Sequence, residues 1–213
     1  MRNWPLFGLR VTTPRLELRF PSLDDLDRLG DRAAEGIHEP GLMPFLSPWT
    51  DGEATDRAHR TIQYHFRTWG RWSQESWACP LAVIFEGEVV GTQEMAATDF
   101  AVTREVSTGS WLGRGFHGRG IGTEMRAAVL HLAFEGLGAR YATSGAFADN
   151  HASLAVTRKL GYTNDGVQIH NRQGKAVETL RFRLSRDDWA TRPGFEIHGL
   201  EPCLPLFGAG RTA

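Results

Sequence analysis

Hydrophobic positions along the chain either alternate with polar ones or recur at helical spacing, and this pattern predicts the secondary structure. Residues 16–20 (LELRF) alternate apolar and polar side chains, which predicts a first strand. Apolar residues at helical spacing then follow Ser22, a favoured helix-capping residue, as far as Ala33. The same criteria predict further helices over 53–72, 121–134 and 152–160, and strands over 81–85, 89–96, 106–113, 141–148, 167–170 and 177–184.

The order of these elements indicates the fold class. A strand, two helices, a meander of strands, a helix, a strand, a helix and a final strand pair predict an α+β fold with a mixed, mostly antiparallel sheet. No linker-like tract divides the chain, so we expect one domain over 1–213, with a core at about 10–188 and an extension at 189–213. The extension is rich in Pro and Gly, and we expect it to wrap the surface or pair with a sheet edge. Its PLFG at 205–208 repeats PLFG at 5–8, either by chance or because both ends pack on one surface.

Composition narrows the function classes. Lys and Arg number 24 and Asp and Glu 25, so the net charge of -1 argues against a nucleic-acid-binding protein. No apolar run approaches the ~20 residues of a membrane helix, and the N-terminus lacks a signal-peptide core, so we expect a cytoplasmic protein. Cys79 and Cys203 form no metal-binding motif, which predicts free thiols and no zinc site.

The most informative stretch is a glycine-rich turn between a predicted strand and a predicted helix. Residues 111–124 read WLGRGFHGRGIGTE, with glycines at Gly118, Gly120 and Gly122. Such a turn presents backbone N–H groups and a helix N-terminus to a ligand, which is typical of phosphate binding. It lacks the Gly-Lys-Ser/Thr of a P-loop and the GxGxxG with a following acid of a Rossmann fold.

This turn resembles motif A of the GNAT superfamily of acyl-CoA-dependent N-acyltransferases, Gln/Arg-x-x-Gly-x-Gly/Ala. His117 takes its first place, Gly120 its fourth and Gly122 its sixth. TTPRLELR at 12–19, GSWL at 109–112 and NHASLAVTRKLGY at 150–162 resemble further landmarks of the Rim-type (ribosomal-protein alanine acetyltransferase-like) branch. The chain is most similar to actinobacterial members of that branch, among which acyl donors larger than acetyl occur.

The resemblance implies a set of donor-binding residues. The acyl-CoA pyrophosphate would lie on the backbone of Gly118, Arg119, Gly120, Ile121, Gly122 and Thr123, beside His117. The pantetheine arm would pair with Trp111 and Leu112 and contact Asn150, and Arg158 would reach the CoA phosphates or the adenine end. Ser153 would lie near the sulfur as the acid. The donor would be acetyl-CoA or a short acyl-CoA such as succinyl-CoA, and no metal would be required.

The general base and the acceptor are less well defined. The residue at which Rim-type enzymes often carry a glutamate is Ser107 here, and Glu105 lies on the same strand face by the two-residue period. We therefore predict Glu105 as the base, with Glu94 and Asp99 as alternatives. The acceptor would be a primary amine, on a protein N-terminus, a lysine or a small molecule, and we expect a homodimer.

Two other interpretations compete with acyl transfer. Because Ser107 replaces the family glutamate, the chain could be a non-catalytic acyl-CoA sensor or interaction module of the same fold. A nucleotide-binding protein of another fold would instead prefer NAD or ATP, but it would not explain the GSWL and NHAS landmarks.

Overall fold

A nine-stranded mixed sheet forms the centre of the molecule. The computed structural model describes residues 1–210. The strands are β1 (Arg10–Thr12), β2 (Leu16–Arg19), β3 (Ser76–Phe85), β4 (Glu88–Thr98), β5 (Glu105–Leu112), β6 (Tyr141–Phe147), β7 (Thr163–Arg172), β8 (Lys175–Ser185) and β9 (Glu196–His198). Their order across the sheet is β7-β8-β6-β5-β4-β3-β2-β1-β9. This arrangement confirms the predicted α+β class.

In the described part of the chain, five α-helices accompany the sheet. They are α1 (Leu23–Glu35), α2 (Ala54–Gly70), α3 (Phe100–Thr103), α4 (Ile121–His131) and α5 (His151–Lys159). Ser22 begins α1 through a capping box, in which its hydroxyl accepts from the Asp25 N–H and the Asp25 carboxylate accepts from the Ser22 N–H. The predicted helix over 121–134 ends in a π-helical turn, Leu132–Gly136.

The helices cover opposite faces of the sheet. On one face, Leu26 and Leu29 of α1 pack against Ala82 and Val89. On the other face, α4 contributes an almost continuous run of buried residues from Met125 onward to the main core. Since side chains alternate across a strand, the β3–β4 hairpin contributes buried residues to the cores on both faces of the sheet.

One pair of strands separates part-way along its length. β5 and β6 run parallel, and their pairing is confined to Glu105–Tyr141, Val106–Ala142 and Ser107–Thr143. Beyond these pairs β5 continues to Leu112 next to β4, while β6 continues to Phe147 next to β8. The divergence opens a groove between the two strands in front of the N-terminus of α4.

The C-terminal extension completes the sheet and the core. β9 pairs antiparallel with β1 at the sheet edge, which confirms one of the two predicted arrangements. The 3-10 helix Pro5–Gly8 is the first PLFG repeat, and the 3-10 helix Glu201–Phe207 holds the second as far as its capping residue Gly208. The two helices contact each other. The repeats therefore do pack together. Both strands of this edge are only three residues long, too short for the alternation that reveals a strand.

Both cysteines are buried free thiols. Within residues 1–210, no cluster of His, Cys, Asp and Glu is arranged to hold a metal ion. None of the helices described in that range is long and apolar enough to cross a membrane.

Candidate active site

The glycine-rich turn leads directly into α4 and requires two of its glycines. Gly118 and Gly120 have φ angles of 74° and 78°, in the left-handed region that side-chain-bearing residues avoid. Gly120 is also the N-cap of α4, so the free N–H groups of the first helical turn follow it. Gly122 has no such conformation. The turn thus has the backbone geometry that the predicted phosphate site needs.

The first turn of α4 is held to the N-terminal strand region by ion pairs and hydrogen bonds. Glu124 accepts a hydrogen bond of 2.6 Å from the Thr13 hydroxyl and one of 2.7 Å from Arg15 Nε. The Arg15 guanidinium also donates to the Arg119 carbonyl at 3.2 Å. These contacts fix the turn relative to the sheet, so the TTPRLELR segment has a structural role in positioning it.

A groove of about 690 Å³ extends from this turn into the divergence of β5 and β6, and we call it the donor groove. The predicted residues that line it are Trp111, Leu112, His117, Gly118, Gly120, Ile121, Gly122, Thr123, Asn150 and Ser153. His117 Nε2 lies 3.1 Å from the Leu112 carbonyl oxygen, so its ring donates to the strand. Asn150 Oδ1 accepts from the Ser153 N–H at 3.1 Å and begins α5, which gives Asn150 a structural role as well.

A second cavity, of about 900 Å³, lies between α2, the segment that joins α1 to α2, and the sheet. We call it the acceptor cavity, after the role that is proposed for it below. Its wall includes the aromatic rings of Phe45, Trp49 and Trp111, with centroids 5.1 Å apart for the first two and 5.9 Å for the last two. The donor groove and the acceptor cavity share Phe45, Gly109, Ser110 and Trp111, so they meet along β5.

Glu94 lies in the acceptor cavity beside this junction. It pairs in register with Gly109 of β5. Because Gly109 has no side chain, the space beside the Glu94 side chain on β5 is open. The Tyr64 hydroxyl donates a hydrogen bond to the Glu94 carboxylate. Burial raises the pKa of Glu94 above its usual range, and the Tyr64 hydrogen bond opposes part of that rise. A carboxylate with a raised pKa at the meeting point of two cavities can accept a proton from a bound group.

Comparison with known proteins agrees with this geometry. The family model described as an acetyltransferase (GNAT) domain matches residues 15–163. The chain belongs to the GNAT acetyltransferase family. The family resemblance is thereby confirmed, and the interpretation as a nucleotide-binding protein of another fold is wrong.

Solved structures share this GNAT fold at low sequence identity. RimJ from Mycobacterium smegmatis, in complex with CoA-disulfide, superposes with a TM-score of 0.70 at 18% identity over 86% of this chain and 88% of that one. RimL, a ribosomal alpha-N-protein acetyltransferase in complex with coenzyme A, gives 0.64 at 18% over 83% and 97%. The microcin self-immunity acetyltransferase MccE, in complex with acetyl-CoA and AMP, gives 0.59 at 16% over 81% and 93%.

Three predicted residues of this GNAT domain lie outside the donor groove. Glu105 begins β5 at the paired end and forms an ion pair of 2.9 Å with Arg183. Arg119 stacks on Phe85 with its guanidinium carbon 4.7 Å from the ring centroid. Arg158 donates from Nε to Leu154 of its own helix at 3.2 Å. The structure therefore does not bring these three side chains together with the others.

One arginine and one lysine that were not predicted also line the donor groove, Arg126 and Lys159. Lys159 follows Arg158 by one position, which is a rotation of about 100° around α5. Lys159 lies seven residues after Ala152 and three after Val156, both of which line the groove, so it shares their helix face and Arg158 does not. Arg126 lies among the apolar residues of α4. No sequence pattern shows that an arginine at such a position is buried rather than exposed.

Proposed function

We propose that the protein is an N-acyltransferase that moves an acetyl group, or a short acyl group such as succinyl, from a CoA thioester to a primary amine. The observation that supports this proposal is the meeting of the donor groove and the acceptor cavity at Gly109–Trp111, with Glu94 beside the junction. A thioester in one and an amine in the other would approach each other there. Holding both reactants in place is the main catalytic requirement of such a reaction.

On the donor side, we assign the pyrophosphate to the backbone of residues 118–123 and the pantetheine arm to Trp111 and Leu112. Lys159 takes the phosphate-pairing role predicted for Arg158, because Lys159 lines the groove. Ser153 also lines the groove, and its hydroxyl is the proton donor that we assign to the departing sulfur.

On the acceptor side, Glu94 replaces Glu105 as the general base. Glu94 accepts a proton from the incoming ammonium, either directly or through water, and the free amine attacks the thioester carbonyl carbon. The tetrahedral intermediate then breaks its C–S bond. Ser153 gives its hydroxyl proton to the thiolate and takes up the second proton that the nitrogen loses as the amide forms, directly or through water. Glu94 releases its proton to solvent. A base works best when its pKa approaches the working pH, and the burial of Glu94 shifts its pKa in that direction.

The two carboxylates allow a matched test. We expect Glu94→Gln to lower kcat/KM by about 100-fold or more, since a positioned base contributes about 10²–10⁴. Glu105→Gln, the same change on β5, should lower it less than threefold. Release of free CoA in the presence of an amine panel measures both. An equal loss in the two variants, or a loss only in Glu105→Gln, would remove Glu94 from this role.

The acceptor amine is proposed by analogy with RimL and from the reference pKa values of amines. RimL acts on a protein α-amine, which makes peptide N-termini the first acceptors to try, followed by lysine and small-molecule amines. An α-amine has a pKa near 7.7–8.0 and is easier to deprotonate than a lysine. A sensor without catalysis would bind acyl-CoA but release CoA with none of these amines.

Several finer assignments belong to the same proposal. We assign the protein to the Rim-type branch, with its likeness to actinobacterial members, and place it in the cytoplasm. Residues 1–213 are proposed to act as one domain, because β9 of the extension joins the same sheet. A homodimer is proposed as well, and the exposed Val167 and Ile169 on the edge strand β7 are compatible with it.

A further inference from the structure

A buried arginine lies at the point where β5 and β6 diverge. Arg126 of α4 is 5% exposed and lines the donor groove. Its Nη1 donates to the Ser144 hydroxyl on β6 at 2.9 Å, and its Nη2 donates to the Ser110 hydroxyl on β5 at 3.3 Å. The guanidinium therefore bridges the two strands just beyond their last pair, Ser107–Thr143.

This cation has no counter-charge in the part of the chain that the structure describes. Its partners are two neutral hydroxyls, and its Nε has no hydrogen-bond partner there. An arginine keeps its proton in proteins, and a buried charge is costly unless it is paired. The site is therefore electrostatically incomplete without an anion.

The proposed orientation of the donor brings its acyl end to this position. With the pyrophosphate at residues 118–123 and the pantetheine arm along Leu112 and Trp111, the next residue of β5 toward the divergence is Ser110. Ser110 is one of the two hydroxyl partners of Arg126. An acetyl group carries no charge that could pair with Arg126, whereas a dicarboxylic acyl chain ends in a carboxylate. The planar guanidinium matches that carboxylate in charge and in geometry.

We propose that Arg126 selects acyl donors whose chain ends in a carboxylate, with succinyl-CoA as the representative. The proposal rests on the function proposed above and specifies its donor class. Arg126 binds the terminal carboxylate through its guanidinium, while Ser110 and Ser144 hold the guanidinium in place. If Arg126 only tied β5 to β6, the terminal group of the acyl chain would not matter.

The most direct test compares two donors of equal chain length. Succinyl-CoA and butyryl-CoA each carry a four-carbon acyl chain and differ in whether it ends in a carboxylate or a methyl group. We expect calorimetry on the wild-type protein to give a dissociation constant about tenfold lower for succinyl-CoA, as a charged hydrogen bond implies. Equal affinities within threefold, or a preference for butyryl-CoA, would overturn the proposal.

Two variants locate the effect at Arg126. Arg126→Met should reduce the succinyl-to-butyryl affinity ratio to about one or below. Ser144→Asp places a carboxylate next to Nη1 inside the protein, and it should also reduce that ratio while keeping the guanidinium. Arg28→Gln removes an exposed arginine of α1 and should leave the ratio unchanged. A ratio that survives in both site variants contradicts the assignment to Arg126.

The outcomes separate this inference from the proposed function. Binding and turnover of acetyl-CoA or butyryl-CoA without any preference for succinyl-CoA would refute the role of Arg126 and leave the acyltransferase proposal intact. Failure of every CoA ester to bind would refute both. If Arg126→Met does not fold, the wild-type donor comparison and Ser144→Asp still decide the question.

Discussion

At the scale of single residues, the acceptor cavity contains a histidine that resists protonation. Burial lowers the pKa of His65 to about 4, and its Nδ1 has no hydrogen-bond partner within residues 1–210. In the unfolded chain a histidine has a pKa near 6.5. Acid therefore protonates the unfolded state before the folded one, and the contribution of His65 to stability is present above pH 6.5 and lost as the pH falls toward 4.

The expected loss can be measured in a variant without a titrating side chain. Between pH 7 and pH 4, the free energy of unfolding of the wild type should fall by about 3 kcal/mol more than that of His65→Gln, since one pKa unit corresponds to about 1.4 kcal/mol. Urea unfolding at both pH values measures the difference. His59→Gln on the exposed side of α2 is the control and should behave as the wild type. A wild type and His65→Gln with the same pH dependence would contradict the buried neutral state.

At the scale of secondary-structure elements, the sequence predicted those helices and strands in which a regular hydrophobic pattern extends over many consecutive residues. The predicted helices over 53–72 and 152–160 correspond to α2 and α5 within two residues at each end. The hairpin β7–β8 is much longer than predicted, because β7 lies at the sheet edge and exposes most of its residues. Without a buried face, such a strand has no alternation to detect.

In the candidate site, too, some residues could be predicted from the neighbouring sequence and others depend on pairing between distant segments. The glycine turn, Ser153 and Asn150 depend on local sequence, and all of them line the donor groove. The choice between Glu94 and Glu105 depends on where β5 leaves β6, which is set by pairing between distant segments. The two-residue period gives the face of a strand correctly but not the position of a residue along it relative to the groove.

The hairpin β7–β8 also reaches across the site, which sequence patterns did not indicate. Arg172 at its turn donates to the Met43 carbonyl at 2.9 Å and pairs with Asp149 at 2.7 Å. The neighbouring Gln173 donates to Asp51 at 3.0 Å. These contacts hold the segment between α1 and α2, part of which lines both the donor groove and the acceptor cavity.

Loss of this contact should weaken donor binding without unfolding the protein. The Arg172–Asp149 pair is partly exposed, so its removal costs about 1 kcal/mol or less. We expect Arg172→Ala to raise the dissociation constant of acyl-CoA by up to about fivefold and to speed proteolysis within residues 38–52. Arg181→Ala breaks the Arg181–Asp165 pair of the same hairpin away from the groove and should do neither. Equal behaviour of the two variants would show that the contact does not hold the segment.

At the scale of the whole molecule, residues 5–8 near the N-terminus and 201–207 near the C-terminus form one side of the core. Trp72 and Trp77 donate their indole N–H groups to the carbonyls of Leu206 and Phe207, at 3.0 and 3.2 Å. The two tryptophan rings stack on each other at 5.8 Å, and the Phe207 ring packs edge-on against both, with centroids 5.3 and 4.8 Å away. Residues 196–207, which lie beyond the matched family region, are therefore an integral part of this fold.

Removal of the Phe207 side chain should accordingly destabilise the entire protein. Phe207 has no exposed surface, so Phe207→Ala leaves a cavity and should lower the free energy of unfolding by about 3–5 kcal/mol. Leu23→Ala on α1, where the leucine is 68% exposed, should change it by less than about 0.5 kcal/mol. Urea unfolding followed by tryptophan fluorescence measures both. A change below 1 kcal/mol for Phe207→Ala would mean that the C-terminal segment is only loosely attached, and that the sheet and the donor groove stand without it.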